Sequence, residues 1–188
     1  DLRQLFSQIN FLGGPASESD PIEIESSPYP RWHQLSTAEP RNLADGLEEL
    51  IPGFKSPEYA RGPVRLLVAG CTTGKLALRL AAAYQNIEVM ATDSFQQNLA
   101  YAARKAEELN ISNVEFCHVG RQELYRLEGQ FHVIYTGESL LWTDDALTPW
   151  GMLADRLLPE GLMQFQVRSA MRREGLTAAR EFVRSKTA

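Results

Sequence analysis

Val64-Arg-Leu-Leu-Val-Ala-Gly-Cys-Thr-Thr-Gly-Lys75 decides the reading of this chain. An apolar run feeds a tight turn of small residues, and a helical pattern begins at Lys75. Nineteen residues after Gly74 a second apolar run ends at Asp93. An open α/β sheet builds its small-molecule site in this way, at the carboxyl ends of its strands. From Val64 onward strand and helix patterns alternate. Strands are expected at 64–69, 88–92, 114–119, 131–136 and 162–167, and helices at 75–84, 95–109, 121–127, 149–158 and 170–184. Phe95, Leu99, Ala102, Ala103 and Ala106 make the apolar stripe of the second helix. Thr148 and Pro149 open the fourth, and Pro159-Glu-Gly161 stops it. Such alternation predicts an α/β, doubly wound, mostly parallel sheet with helices on both faces.

Outward from this core, residues 1–62 read as an arm with a short helix, and 63–188 as the sheet domain. Gly13-Gly14-Pro15 and the polar cluster after it are loop composition. Ile22-Glu-Ile-Glu25 alternates and predicts a short strand. Pro28-Tyr-Pro-Arg-Trp32 is stiffened by two prolines into an extended segment. Its aromatics either cover a pocket or anchor the arm by packing. Asn42 caps a helix over 42–51, whose face is Leu43, Leu47, Leu50 and Ile51.

With 188 residues, 44% hydrophobic and 23% charged, the chain has the means for one sizeable core. A net charge of −5 gives no general pull towards nucleic acid or anionic membrane. Arginines do gather in 168–188, a pattern that describes most solvated helices. Cys71 and Cys117 make neither a disulfide framework nor a zinc site, which points to the cytoplasm or another reducing compartment. No run is apolar enough to span a membrane. The chain opens on Asp1 rather than Met, which leaves room for a targeting segment before it.

Three signatures compete for Gly70-Cys-Thr-Thr-Gly-Lys75. A Walker loop needs glycine where Ala69 stands and a hydroxyl residue where Leu76 stands. A dinucleotide fingerprint needs glycine where Thr72 and Lys75 stand. Both fail twice. The third match is to a family. The turn after Leu66-Leu-Val-Ala69, the stretch Met90-Ala-Thr-Asp93, Phe131-His-Val-Ile-Tyr-Thr-Gly137 and Leu157-Leu-Pro-Glu-Gly-Leu-Met163 together resemble the class I S-adenosylmethionine-dependent methyltransferases. Within them, Pro28-Tyr-Pro-Arg-Trp32, Ala69-Gly-Cys71 and Leu99-Ala-Tyr-Ala-Ala-Arg-Lys105 resemble a subgroup often attached to tetratricopeptide repeats.

The resemblance implies a Rossmann-like fold and S-adenosylmethionine as cofactor. It implies a cofactor set of Gly70, Cys71, Thr72, Thr73, Gly74, Asp93, Ser94, Arg121, Gln122 and Tyr135. Asp93 would take the ribose hydroxyls; its other reading is a cap for the helix starting at Phe95. Tyr29, Arg31, Trp32 and Glu138 would stand at the substrate mouth, with Glu138 the one candidate acid there. No metal is implied, and His33, His118 and His132 lack the spacing of ligands or bases.

The sequence departs from the family at four places. Thr72 replaces a glycine, so its side chain is expected to intrude on the cofactor or to hold φ negative. Arg121 stands where an acidic residue usually meets the adenine amine, and it has no acceptor. His132 replaces an Asp, and Gly137-Glu-Ser-Leu-Leu141 lacks the subgroup's histidines. The family's last two strands do not follow the fifth helix. The stretch 162–167 is then expected as a sheet edge, open to a protein partner or a further segment of chain. The expected function is methyl transfer to an unidentified acceptor; the alternative is a catalytically impaired binding or scaffold module. A third reading, a dinucleotide-dependent oxidoreductase, lacks its glycines.

Overall fold

The computed structural model describes residues 7–12, 28–36, 39–136, 147–166, 182 and 185. Six strands lie in it: β1 (Ile9–Phe11), β2 (Val64–Ala69), β3 (Ile87–Asp93), β4 (Val114–His118), β5 (Phe131–Thr136) and β6 (Leu157–Phe165). Four α-helices accompany them: α1 (Leu43–Leu50), α2 (Lys75–Ala83), α3 (Gln96–Glu108) and α4 (Leu147–Ala154). The strands form one sheet in the order β1-β4-β3-β2-β5-β6, and every adjacent pair is parallel. The order reverses beside β2, so the crevice outside its carboxyl end is where this architecture receives ligands.

The central strand β2 is buried on both faces, which is why it reads as a continuous apolar run. Leu66 and Val68 join Val89, Ala91 and Phe116 under α2 and α3, which contribute Ala77, Leu78, Leu99 and Ala103. Leu67 and Ala69 face the other way, with Cys117, Ile134, Leu124, Leu127 and Leu153. The expected stripe of α3 is the one it buries, apart from Phe95, which is the helix's N-cap.

Joining the arm to this core needs polar ties. Asn42 caps α1 as expected, its side chain accepting the Ala44 N–H at 3.0 Å. Asn86 accepts the Leu43 N–H at 2.9 Å and donates to the carbonyls of Ala60 at 3.0 Å and Gly62 at 2.7 Å. One loop residue thereby fixes α1 and the approach to β2 together.

The structure corrects several boundaries. The fourth helix ends at Ala154, not at 158, and the last strand begins at Leu157 rather than 162. Pro159-Glu-Gly161 lies inside β6 as an irregularity: Phe131 pairs with Leu157 and Val133 with Leu162. Glu160 takes φ 63 there. An edge strand tolerates proline because its N–H is not needed on the open side. Among the described residues β6 pairs with β5 alone, at the edge of the sheet. The stretch 121–127 is a 3-10 helix over Arg121–Arg126 rather than an α-helix. The arm, expected to be irregular around residue 9, supplies β1, in register with β4 through Ile9 and Phe116. The strand expected at 22–25 and nearly all of the helix expected at 170–184 lie outside the described residues.

Candidate cofactor site

The turn after β2 is built from backbone in an uncommon conformation. Gly70, Thr72 and Gly74 have φ of 71, 50 and 75. Thr72 therefore does not hold φ negative, contrary to expectation; it adopts the left-handed geometry a glycine would take there. Its hydroxyl turns back to donate to the Cys71 carbonyl at 2.8 Å. The turn is tied on three sides. Cys71 N–H donates to Thr92 O at 2.8 Å, Gly74 N–H to Cys71 O at 3.0 Å, and Thr72 N–H to Asp93 Oδ2 at 2.8 Å. Gly74 has a second reason to be glycine, since a Cβ there would collide with that of Ala102 on α3. The first turn of α2 follows directly, and its early N–H groups point out of the helix by geometry.

Asp93 ends β3 and is buried. Its Oδ1 accepts the Phe95 N–H at 2.9 Å and the Asn98 side-chain amide at 3.3 Å. Asp93 is not itself the α3 cap, which is Phe95. It ties the residue before the helix to the glycine turn, so one carboxylate joins β2, β3 and α3. Ser94 comes next, and its carbonyl meets His118 Nε2 at 3.0 Å. His118 is buried beside Phe11, with ring centroids 5.4 Å apart, and its Nδ1 meets no hydrogen-bond partner among the described residues.

The arm segment 28–32 reaches this same corner. Trp32 is buried, and its indole N–H donates to the Thr73 carbonyl at 3.0 Å. The Thr73 hydroxyl donates to Pro30 O at 2.6 Å. Tyr101 of α3 accepts the Trp32 N–H at 3.1 Å and donates its own hydroxyl proton to the Trp32 carbonyl. Tyr29 and Arg31 stay exposed, and the Tyr29 N–H faces Asn98 Oδ1 at 3.4 Å. Asn98 and Tyr101 were not among the expected site residues. Their signal was a polar residue and a phenol on the buried face of α3, without a pattern to say what they meet.

The remaining candidates scatter. Arg121 is half-buried and Gln122 exposed at the start of the 3-10 helix after β4. Tyr135 is half-buried on β5, in register with Val68 of β2. Glu138 lies outside the described residues. His132 is remote from the turn: its Nδ1 accepts the Arg65 N–H at 3.0 Å, and it packs on Tyr59. Burial, with the Arg65 charge second, lowers its pKa from the ordinary value. Burial raises both thiols: Cys71 goes well above its ordinary value, with the Asp93 charge adding to it, and Cys117 to about 11. Neither cysteine is a thiolate at neutral pH. Among the described residues no three His, Cys, Asp or Glu side chains gather as a metal site, and no helix is long and apolar enough to cross a membrane.

Residues 66–161, just over half of the chain, match the methyltransferase domain family. The chain belongs to that family. It is a class I methyltransferase domain, and the cofactor of that class is S-adenosylmethionine. The backbone cradle at 70–74, the α2 N-terminus and the buried Asp93 suit a ligand with a carboxylate at one end and a diol further on. Ribosomal RNA small subunit methyltransferase G of Streptococcus pyogenes is 30% identical over 98 residues, covering 50% of this chain and 39% of that protein. The chain thus spans about two fifths of the length of the curated relatives it matches. Among solved structures, the [4+2]-cyclase SpnF is 28% identical with a TM-score of 0.53, covering 68% of this chain and 46% of that one. PKMT2 from Rickettsia typhi, in complex with AdoHcy, has a TM-score of 0.53 at 20% identity, covering 60% of this chain and 22% of that one. The latter likeness concerns the fold alone.

Proposed function

We propose that this protein transfers the sulfonium methyl of S-adenosylmethionine to a nucleophilic acceptor. The observation that carries the reading is the left-handed turn at Gly70, Thr72 and Gly74 facing the carboxylate at the end of β3. In this reading Gly70, Cys71, Thr72, Thr73 and Gly74 border the methionine part, whose carboxylate meets the N-terminus of α2. Asp93 and Ser94 receive the ribose. Gln122 supplies, from its amide oxygen, the acceptor for the adenine amine that Arg121 lacks. Tyr135 separates cofactor from acceptor, and the exposed Tyr29 and Arg31 border the mouth.

Bound S-adenosylmethionine supplies an activated methyl on a cationic sulfur. The chain's task is to hold donor and acceptor in line, which by itself lowers such a barrier by several kcal/mol, on the order of 7–11 at best. No dedicated base is required for an acceptor that attacks as a neutral amine or an anion. Protonated, buried Cys71 and Cys117 do not compete for the methyl. The scaffold alternative loses one of its supports, because Thr72 keeps the glycine-like turn. Nucleic acid is the acceptor class to test first, since the curated relatives are named for ribosomal RNA.

Calorimetry with S-adenosylmethionine and S-adenosylhomocysteine tests the cofactor half of the reading. Saturable binding of both is expected; no heat at millimolar ligand overturns it. Transfer of a labelled methyl onto separated RNA and protein fractions then identifies the acceptor class.

A further inference from the structure

We infer that arm segment 28–32 is a latch on the cofactor turn, with Trp32 as a positioning residue that holds Thr72 in its left-handed conformation. The inference rests on the cofactor site proposed above and extends it beyond residues 64–136. Thr72 is β-branched, and a left-handed conformation costs such a residue about 1–2 kcal/mol, so something must hold it. Its own N–H is held by Asp93, as described. The next residue, Thr73, is fully buried and gripped by the arm in both directions. Its carbonyl accepts the Trp32 indole N–H at 3.0 Å, and its hydroxyl donates to Pro30 O at 2.6 Å. The first bond fixes the peptide plane after Thr73 and the second fixes its side chain, so Thr73 is pinned to the arm and Thr72 is held between it and Asp93.

The arm is itself anchored away from the turn. Tyr101 both donates to and accepts from the Trp32 backbone, and its ring meets the indole edge-on at 6.1 Å. Lys105 lies 5.7 Å from the indole centroid and pairs with Glu108 at 2.5 Å. Asn98 closes a second path, facing the Tyr29 N–H on one side and donating to Asp93 on the other. Seating of the arm and shape of the turn are therefore one equilibrium. Cofactor affinity should depend on arm residues that the cofactor never touches.

The test is a double-mutant cycle read by calorimetry with S-adenosylhomocysteine. Trp32→Phe keeps an aromatic ring but removes the indole donor. Loss of one hydrogen bond predicts a Kd raised about fivefold. In a Thr72→Gly background the same change should have under about a twofold effect, because glycine holds a positive φ unaided. Equal losses in both backgrounds would overturn the latch and leave Trp32 a packing residue. Tyr101→Phe is the second probe: it loosens the arm without altering any group on the turn, and the same cycle with Thr72→Gly applies. A Kd unchanged by Tyr101→Phe also overturns the proposal. A parent protein that binds no S-adenosylhomocysteine would sink the cofactor assignment itself, an outcome separate from either of these.

Discussion

Thr72 holds φ 50, a conformation β-branched side chains rarely adopt, in the turn that faces Asp93. Replacing it by glycine should relieve about 1–2 kcal/mol of strain against about 0.5–1 kcal/mol of added chain entropy. Urea denaturation of Thr72→Gly should accordingly show a gain of up to about 1.5 kcal/mol; a loss exceeding the roughly 0.5–1.5 kcal/mol of its hydroxyl bond to Cys71 would mean the turn is not strained. Asp93 is the opposite case. Thr72 N–H, Phe95 N–H and the Asn98 amide all donate to it, so Asp93→Asn turns an amide N–H₂ towards at least one of them. Hydrogen bonds to a charged group contribute about 1.5–3 kcal/mol, and a loss of at least about 2 kcal/mol is expected, together with weaker cofactor binding. His132 predicts a pH effect away from the site. Its folded pKa lies below the ordinary 6.5, so the unfolded chain binds more protons between the two values. Its contribution is full above 6.5 and is lost as pH falls from there through the folded pKa. The denaturation midpoint should drop as pH falls below the ordinary 6.5, and His132→Asn should flatten that drop. If the drop persists in the variant, another group titrates.

At the scale of elements, the ties are made by asparagines in loops. Asn86 makes three hydrogen bonds that join α1, the 3-10 turn Glu58–Arg61 and the approach to β2. Asn86→Ala should destabilise by about 1.5–4.5 kcal/mol, from about 0.5–1.5 kcal/mol for each bond. The effect should fall on stability and not on cofactor affinity; a fall in affinity alone would contradict it. The order of strands and helices from Val64 onward was legible because apolar period and small-residue turns mark them locally. The junction of α4 and β6 was not. Pro159-Glu-Gly161 has the composition of a helix stop, and only pairing with β5 makes it an irregular strand. The three residues of β1 are too few to show a period, and their strand character comes wholly from β4.

For the whole molecule, the arm is part of the sheet. Ile9 is buried in the same cluster as Phe116, Trp32 and the stripe of α3. Ile9→Ala should cost about 2–4 kcal/mol of global stability, measured by denaturation. A cost near zero would show β1 to be dispensable to the fold. The sequence by itself determined the doubly wound order, the family and the turn, because an apolar run, small residues and a spaced Asp are local properties of the chain. It also marked Thr72 as the odd residue, but its consequence was misjudged. Only the tertiary structure decided that Thr72 turns left-handed, that Asp93 joins the turn to α3, and that Trp32 meets Thr73 across 41 residues. Hydrogen bonds between distant segments leave no period and no spacing to read, since their geometry exists only once both segments are packed on the same sheet.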